Sequence, residues 1–287
     1  MPTLADFKTD AKSWWCPGCG DFAVLAALQR ALVNEGLEPH NVALVAGIGC
    51  SGKIGNYINC YNFHVTHGRT LPTAMGLKLA NRDLTVLAAG GDGDGFAIGM
   101  GHFMHAVRRN PDITYIVMDN HIYGLTKGQI SPTSQMGFAT KAQPRGNIER
   151  PVTPLTYALA AGATFVAQGF SSNVKQLTSL IQQGIRHKGF AFINALSPCV
   201  TFNRVNTYDW YREVLYDLDQ DDSYDPTNRL LALERVVQRE ELVTGLIYRE
   251  EAPSYEELYP GFRDTPIVEQ DWSVPEEAFN ELLAEFR

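Results

Sequence analysis

Two polar segments carry side chains suited to binding a hard cation. GDGDGFAIG at residues 91–99 contains Asp92, and MDNHIYG at residues 118–124 contains Asn120, with each segment following an apolar run. Glycines let backbone N–H groups approach a phosphate closely, and a helix beginning there adds a partial positive charge. Mg²⁺ prefers carboxylate and amide oxygens and commonly completes its coordination with phosphate oxygens. The two segments therefore predict a site for a Mg²⁺-bound diphosphate.

The glycine-rich segment has two other interpretations. The DGDG sequence resembles the start of an EF-hand loop, but with Asp92 at position 1 the sixth residue would be Ala97 instead of Gly. The twelfth would be Phe103 instead of Glu, so a calcium loop is excluded. A purely structural glycine turn stays open, although Asn120 at the end of the next apolar run favours the metal site.

Four cysteines form a second candidate metal site. Cys16 and Cys19 lie in a CPGC segment, while Cys50 and Cys199 are isolated in GIGCSGK and LSPCV. Four thiolates suit structural zinc or an iron–sulfur cluster, and a CxxC pair alone is also compatible with a redox dithiol. Zinc sites usually combine two close pairs, so one pair with two distant thiols favours a cluster. Cys60 has no matching motif and is interpreted as an ordinary residue.

The elements that must position these residues are short apolar runs alternating with stretches of helical period. Alternation of this kind predicts α/β units with a mostly parallel, open sheet covered by helices on both faces. Beyond Cys199 the pattern becomes polar and aromatic, and residues 227–250 are predicted to be a long helix. The strands are expected at 41–49, 84–91, 113–120, 163–169 and 190–196, and the helices at 20–35, 72–82, 97–109 and 173–187.

The candidate ligands follow the ends of the predicted strands. Cys50 follows the first strand, the GDGD turn with Asp92 ends the second, Asn120 ends the third and Cys199 follows the fifth. Because ligands of open α/β sheets bind at the carboxyl ends of the strands, we expect both sites to lie on one edge. A diphosphate site and a soft metal centre would then be neighbours.

Composition and charge exclude several classes of protein. The net charge is −8, and residues 251–287, with ten Asp/Glu and two Arg, account for all of it. A nucleic-acid-binding surface is therefore not expected. The chain has no apolar run long enough to cross a bilayer and no secretory signal at its start, so we expect a cytoplasmic protein with reduced cysteines. The acidic tail is either a solvated end or a docking segment, because it also contains Tyr255, Tyr259, Phe262, Trp272, Phe279 and Phe286.

The sequences of these motifs resemble those of a known family. Asp92 with Asn120 matches the GDG…N signature of thiamine diphosphate enzymes, and residues 91–129 resemble the β subunit of 2-oxoacid:ferredoxin oxidoreductases. The resemblance extends over about residues 12–205. It implies the diphosphate-binding half of the thiamine diphosphate fold in residues 1–200. Residues 201–287 are expected to form a C-terminal extension that wraps the core and packs on a partner subunit.

The resemblance also implies roles for individual residues. Asp92, Asn120 and the carbonyl of Ile122 would bind Mg²⁺, and Cys16, Cys19, Cys50 and Cys199 would hold one 4Fe4S cluster. The diphosphate and the rest of the bound cofactor would be surrounded by ten residues: Ile48, Gly49, Cys50, Ser51, His67, Gly91, Gly93, Asp94, Leu125 and Thr126.

The implied reaction is oxidative decarboxylation of a 2-oxoacid, or its reverse, with coenzyme A as acyl acceptor and ferredoxin as electron acceptor. Lys53 and Lys127 lie on loops expected to border the substrate. Either ammonium would favour a second substrate carboxylate, as in 2-oxoglutarate, which yields succinyl-CoA. If the lysines are instead exposed or bind coenzyme A phosphates, pyruvate is the alternative substrate.

In this family another subunit supplies the pyrimidine-binding half of the site. The chain is therefore expected to be active only with an α subunit, or α and γ subunits, in an (αβ)₂ assembly. Two further hypotheses remain: a non-redox thiamine diphosphate lyase or synthase with structural zinc, and a non-catalytic scaffold subunit that has kept the fold.

Overall fold

A twisted sheet of eight strands organises the part of the chain that the structure describes. The structure is a computed structural model describing residues 1–259 and 265–286. The strands are β1 (Val42–Ala46), β2 (Tyr61–His64), β3 (Thr85–Gly91), β4 (Ile113–Asp119), β5 (Phe165–Phe170), β6 (Phe190–Leu196), β7 (Tyr216–Asp217) and β8 (Val243–Arg249). Their order across the sheet is β2-β1-β3-β4-β6-β5-β8-β7. Neighbouring strands are parallel except β5 and β8, which are antiparallel.

Helices connect most of the strands. They are α1 (Asp21–Asn34), α2 (Thr70–Ala80), α3 (Met100–Arg109), α4 (Pro154–Ala160), α5 (Val174–Arg186), α6 (Tyr208–Val214), α7 (Arg229–Gln238), α8 (Tyr255–Leu258) and α9 (Glu276–Ala284). A π-helical turn, Asp94–Ile98, precedes α3, and 3₁₀ turns span Pro39–Asn41, Ser51–Asn56, Leu218–Gln220 and Ile267–Glu269.

The central strands of the sheet are buried on both faces, as the sequence predicts. Side chains alternate along a strand, so in β4 Ile116 and Met118 pack on one face while Tyr115 and Val117 pack on the other. The first face is covered by α1 and α5. The second is covered by α2, α3, α4 and α7. Every residue of β4 is buried. A strand that is covered on both faces can therefore be apolar throughout, without alternating apolar and polar residues.

The five predicted strands are confirmed within a few residues, and so are the helices predicted at 20–35, 72–82, 97–109 and 173–187. The predicted helix 227–250 is wrong in its second half. Helix α7 ends at Gln238, and β8 begins at Val243. Glu240 and Glu241 have φ values of 52° and 68°, a left-handed conformation that stops the helix. The following VTGLIY sequence is rich in strand-forming residues and pairs with β5.

Strands β2 and β7 were not predicted. All four residues of β2, Tyr61–His64, are exposed at the edge of the sheet, so no apolar run marks them. β7 has only two residues, Tyr216–Asp217. Such elements take their strand geometry from pairing with a neighbour, and the local sequence gives little signal for them.

Residues after Cys199 contribute β7 and β8 to the sheet and continue into the acidic tail. In the tail Trp272, Phe279 and Phe286 are exposed by 67%, 51% and 87%. Phe262 lies outside the described residues. The docking of this segment on a partner subunit stays a prediction. None of the helices within residues 1–259 and 265–286 has both the length and the apolar character that crossing a bilayer requires.

The register of the sheet brings the polar segments to one level. Gly91 in β3 pairs with Met118 in β4, and Asp119 in β4 pairs with Leu196 in β6. The residues that follow these strand ends therefore meet at the carboxyl edge of the sheet, where ligands of open α/β folds bind.

Candidate active site

The turn that follows β3 places Asp92 in the wall of a cleft at this edge. The residue is 2% exposed, and Asp92 Oδ2 accepts a hydrogen bond from Thr133 Oγ1 at 2.7 Å. Burial, and after it the nearby carboxylate of Asp119, raise the pKa of Asp92 to about 7. A divalent cation bound to Asp92 would supply the positive charge that the ionised carboxylate needs here.

The turn that follows β4 presents Asn120 and Ile122 to the same cleft. Asn120 Oδ1 accepts a hydrogen bond from the Ile122 N–H at 3.1 Å, and the Asn120 carbonyl accepts one from the Asn203 side chain at 3.0 Å. Between them His121 has a φ of 55°, a left-handed conformation that reverses the chain. Both neighbours of His121 therefore line the cleft, whereas His121 does not.

The cleft encloses about 470 Å³, some of it open to solvent. Its lining contains all thirteen residues predicted to bind the diphosphate cofactor or Mg²⁺. It also includes three residues that sequence reasoning did not single out. The full set is Ile48, Gly49, Cys50, Ser51, His67, Gly91, Asp92, Gly93, Asp94, Met118, Asn120, Ile122, Tyr123, Gly124, Leu125 and Thr126.

Two polar atoms in the lining fit an anionic ligand. Both atoms are buried, and among the described residues Ser51 Oγ has no hydrogen-bond partner, while His67 Nδ1 makes no hydrogen bond and lies 3.5 Å from Asp94 Oδ1. A buried donor without a partner costs free energy, which a phosphate group in the cleft would offset. The residues present therefore fit a diphosphate.

Glycine is required at position 93 because an aromatic ring packs directly against the turn. A Cβ at Gly93 would lie 2.1 Å from the Tyr123 ring. The Tyr123 hydroxyl donates to the Gly93 carbonyl at 3.2 Å. Tyr123 was missed from the sequence because an aromatic residue within a motif carries no signal of its orientation.

Asp94 holds the cleft together through backbone groups. Its Oδ1 accepts hydrogen bonds from the N–H groups of Ile48 at 3.1 Å and Gly68 at 2.8 Å, and its Oδ2 accepts one from Thr70 Oγ1 at 2.9 Å. This carboxylate joins the turn after β1 to the start of α2. Asp94 lines the cleft as expected, but its side-chain oxygens are occupied by the protein.

The segments that carry the four predicted cluster ligands meet beside the cleft, although among the described residues no three His, Cys, Asp or Glu side chains are grouped closely enough for one metal ion. A Cβ at Gly124 would lie 3.5 Å from both Cys50 Sγ and Cys199 Sγ. Cys19 N–H donates to the Cys16 carbonyl at 3.0 Å within the CPGC turn, and Gly20 N–H donates to the Pro198 carbonyl at 3.3 Å. These contacts join three separate segments of the chain. All five cysteines are free thiols, and Cys60 instead contacts its own neighbours, Tyr61 and Asn62.

The protein surroundings alone disfavour ionised thiols at this site. Burial, followed by the carboxylate of Asp21, raises the pKa of Cys50 to about 12 and raises that of Cys19 well above its usual range. A metal centre reverses this preference, because it binds the thiolate form. The donor set therefore fits a soft metal centre.

Trp15 fixes the position of Cys50. Its indole Nε1 donates to the Cys50 carbonyl at 2.7 Å. The ring is 7% exposed and packs edge-on against Phe22 and Tyr57, with centroid distances of 5.2 and 4.7 Å. The WWCPGC sequence places Trp15 next to the CxxC pair, but only the fold shows its contact with Cys50.

Neither Lys53 nor Lys127 lines the cleft itself. Lys53 is half-buried on the 3₁₀ turn that follows Cys50, and Lys127 is exposed with a φ of 73°. A role for either residue requires a substrate that extends beyond the cofactor cleft.

The fold and the cleft define a thiamine diphosphate-binding protein. Residues 45–195 match the family described as "Thiamine pyrophosphate enzyme, C-terminal TPP binding domain". Residues 199–264 match the family that describes the C-terminal part of the pyruvate ferredoxin oxidoreductase β subunit.

Full-length relatives identify the family more closely. The chain is 42% identical over 279 residues to 2-oxoacid:ferredoxin oxidoreductase 2, subunit beta, of Aeropyrum pernix, covering 97% of this chain and 86% of that protein. It is 43% identical to the 2-oxoglutarate synthase subunit KorB of Archaeoglobus fulgidus, covering 68% of this chain and 73% of that protein. The chain belongs to the β subunits of 2-oxoacid:ferredoxin oxidoreductases and is thus part of an enzyme with an α partner.

A solved structure agrees with this assignment. The 2-oxoglutarate:ferredoxin oxidoreductase of Magnetococcus marinus, with 2-oxoglutarate, coenzyme A and succinyl-CoA bound, is similar at a TM-score of 0.88 and 36% identity. The similarity covers 100% of this chain and 96% of that one.

Proposed function

We propose that this β subunit uses Mg²⁺, thiamine diphosphate and one 4Fe4S cluster to oxidise 2-oxoglutarate to succinyl-CoA, or to run the reverse reaction. The observation that carries the proposal is the position of Cys50. It lines the cofactor cleft, and its sulfur and that of Cys199 both lie next to Gly124. One residue thus belongs to both sites, so electrons need no carrier between them.

The residues proposed to hold Mg²⁺ are Asp92, Asn120 and the carbonyl of Ile122. Thiamine diphosphate, when bound, supplies the electron sink that loss of CO₂ from a 2-oxoacid requires. The chain's own groups would bind and orient the cofactor: Ser51 Oγ would donate to it, His67 would lie beside the diphosphate, and Gly93 would let the backbone approach it. Asp94 keeps these turns in place through its three hydrogen bonds.

The distribution of the thiols along the chain supports an iron–sulfur cluster over zinc. One close pair, Cys16 and Cys19, is joined by two isolated thiols, Cys50 and Cys199, whereas structural zinc sites usually combine two close pairs. Cys16, Cys19, Cys50 and Cys199 are the proposed ligands.

Two observations support 2-oxoglutarate as the substrate. The Magnetococcus relative binds 2-oxoglutarate, coenzyme A and succinyl-CoA. Lys53 also lies near enough to Cys50 that its charge acts on that thiol, although burial and neighbouring anions outweigh it. An ammonium beside the cleft would suit the distal carboxylate of a dicarboxylate substrate.

The proposed system also includes coenzyme A, ferredoxin and the α subunit. The α subunit, or α and γ subunits, would close the cleft over the pyrimidine half of the cofactor in an (αβ)₂ assembly. The exposed aromatic residues of the tail, Trp272, Phe279 and Phe286, are candidate contacts with that partner.

Anaerobic purification of the complex with its α subunit tests the cofactor assignment. We expect iron and acid-labile sulfide attributable to the β subunit, an electron paramagnetic resonance signal on reduction, and thiamine diphosphate that is released by a chelator and rebinds with Mg²⁺. A colourless complex with zinc in its β subunit would support the non-redox lyase or synthase instead. Failure to bind thiamine diphosphate in the presence of the partner would support the scaffold hypothesis.

A further inference from the structure

A chain of buried polar side chains runs from Asp92 across the sheet. Asp92 follows β3, Asp119 ends β4, Asn194 lies in β6 and Gln168 lies in β5, which is the spatial order of these strands. Thr133 links the first two members. All five are at most 3% exposed, so the protein itself must satisfy their hydrogen bonds.

The links are continuous. Thr133 Oγ1 lies 2.7 Å from Asp92 Oδ2 and 3.0 Å from Asp119 Oδ1. Asn194 Nδ2 donates to Asp119 Oδ2 at 3.2 Å and to Gln168 Oε1 at 2.7 Å. Gln168 Nε2 then donates to the carbonyls at the start of β8, those of Glu241 at 2.6 Å and Val243 at 2.7 Å.

The arrangement at Thr133 is unusual, because a hydroxyl has one proton and here faces two carboxylates. The single proton serves one carboxylate at a time, and the shorter distance favours Asp92 Oδ2. Without Thr133, Asp92 Oδ2 would lose its 2.7 Å donor, and Ser131 would remain as the other side-chain partner of this carboxylate. With Thr133, the carboxylate is held at Oδ2, while Asp119 is anchored from the other side by Asn194.

We propose that Thr133 and Asp119 are positioning residues for the Mg²⁺ site, which they hold in place through the orientation of Asp92. The inference rests on the proposed role of Asp92 as a Mg²⁺ ligand. Neither residue lines the cleft, so both act through Asp92. Groups that orient metal ligands typically change metal affinity by about 10- to 100-fold when removed.

Mg²⁺ titration of the αβ complex tests the proposal. The complex is freed of metal, saturated with thiamine diphosphate and titrated with Mg²⁺ while binding heat is measured. We expect Thr133→Val, which keeps the shape and removes the hydroxyl, to raise the Kd for Mg²⁺ by about 10- to 100-fold. Thr133→Ser should restore most of the affinity. Asn194→Ala should cause a smaller loss, and its effect should be less than additive with that of Thr133→Val because the residues share one chain.

Thr178→Val is the matched control. Thr178 is also a buried threonine, and its hydroxyl donates within α5 to the Val174 carbonyl at 2.7 Å. This variant should bind Mg²⁺ as the wild type does. If Thr133→Val lowers Tm more than the control, Asp119→Asn tests the same link with little change in volume and should also weaken Mg²⁺ binding.

Two results separate the possible failures. The positioning role alone is overturned if Thr133→Val and Asp119→Asn both bind Mg²⁺ within about threefold of the wild-type affinity while the wild type depends on Mg²⁺ normally. A wild-type complex that binds thiamine diphosphate without Mg²⁺ overturns the proposed metal site itself, and the positioning role with it.

Discussion

Cys50 and Cys199, which are 149 positions apart in the sequence, both have their sulfur atoms next to Gly124. A Cβ at Gly124 would be 3.5 Å from each sulfur, an ordinary van der Waals distance. The turn after β4 therefore has space for a methyl group beside the two thiols and for little more. This contact also joins the MDNHIYG motif to the cysteine site.

Substitutions at Gly124 are expected to affect the cluster differently according to the size of the new side chain. Gly124→Ala should retain the cluster, whereas Gly124→Val should lose most of its iron because its methyl groups would crowd the two sulfurs. Iron and sulfide content of anaerobically purified complexes measures this. Full iron content in Gly124→Val would show that the sulfurs do not hold the cluster at this contact.

Substitution of a cysteine should affect the cluster only where the cysteine is a proposed ligand. Cys199→Ser is expected to remove or strongly destabilise the cluster, because the thiolate is replaced by a harder and less acidic hydroxyl. Cys60→Ser is the control, since the Cys60 thiol donates to Tyr61 and Asn62 and packs against the hydrophobic core. The reduced electron paramagnetic resonance signal should disappear in the first variant and persist in the second. Loss of the signal in both would contradict the assignment of ligands.

Lys53→Met is expected to lower kcat/KM for 2-oxoglutarate by about tenfold or more, the loss of one charge-assisted hydrogen bond of about 1.5 kcal/mol or more. The kcat/KM for pyruvate should change little, because pyruvate has no distal carboxylate. Lys127→Met tests the second candidate in the same assay.

The control for these lysines is Lys175→Met, on the exposed surface of α5. The assignment of a dicarboxylate substrate would be wrong if the wild type has a higher kcat/KM for pyruvate than for 2-oxoglutarate and neither lysine substitution changes these values.

His187 should make folding stability depend on pH. Its Nε2 lies 2.8 Å from Thr164 Oγ1, and burial lowers the pKa of His187 despite the carboxylates of Asp112 and Glu250. The unfolded chain therefore binds the proton more tightly than the folded one. The contribution of His187 to the free energy of unfolding should be fully present above a pH of about 6.5. It should be lost as the pH falls from this value towards the pKa of His187 in the folded protein.

Urea unfolding at a series of pH values measures this effect. His187→Gln should flatten the dependence on the acidic side, since glutamine does not titrate. An unchanged slope in the variant would show that other groups cause the acid destabilisation.

The sequence was informative where a short motif or a long apolar run carries the signal. The five buried strands follow from runs such as ITYIVMD, since a strand buried on both faces is apolar throughout. The exposed strand β2 and the short β7 have no such runs. Strand β8 was mistaken for helix because the two left-handed residues before it, Glu240 and Glu241, have no glycine to mark the break.

The site shows the same division. Asp92, Asn120 and the CPGC pair could be read from residue types, because each metal prefers certain donor atoms. Thr133, Asp119 and Trp15 could not be assigned roles in this way. Their hydrogen bonds to Asp92, Asn194 and Cys50 join segments far apart in the sequence.

The sequence by itself determined the donor atoms and the class of fold, because side-chain chemistry and hydrophobic periodicity are local properties of the chain. The tertiary structure alone decided which donors meet. Strand register brings Asp92 and Asn120 to one level, the Gly124 turn places Cys50 beside Cys199, and the packing of β6 and β5 extends the polar chain to Gln168. Such contacts depend on how the strands pair and pack, and no local stretch of sequence encodes that arrangement.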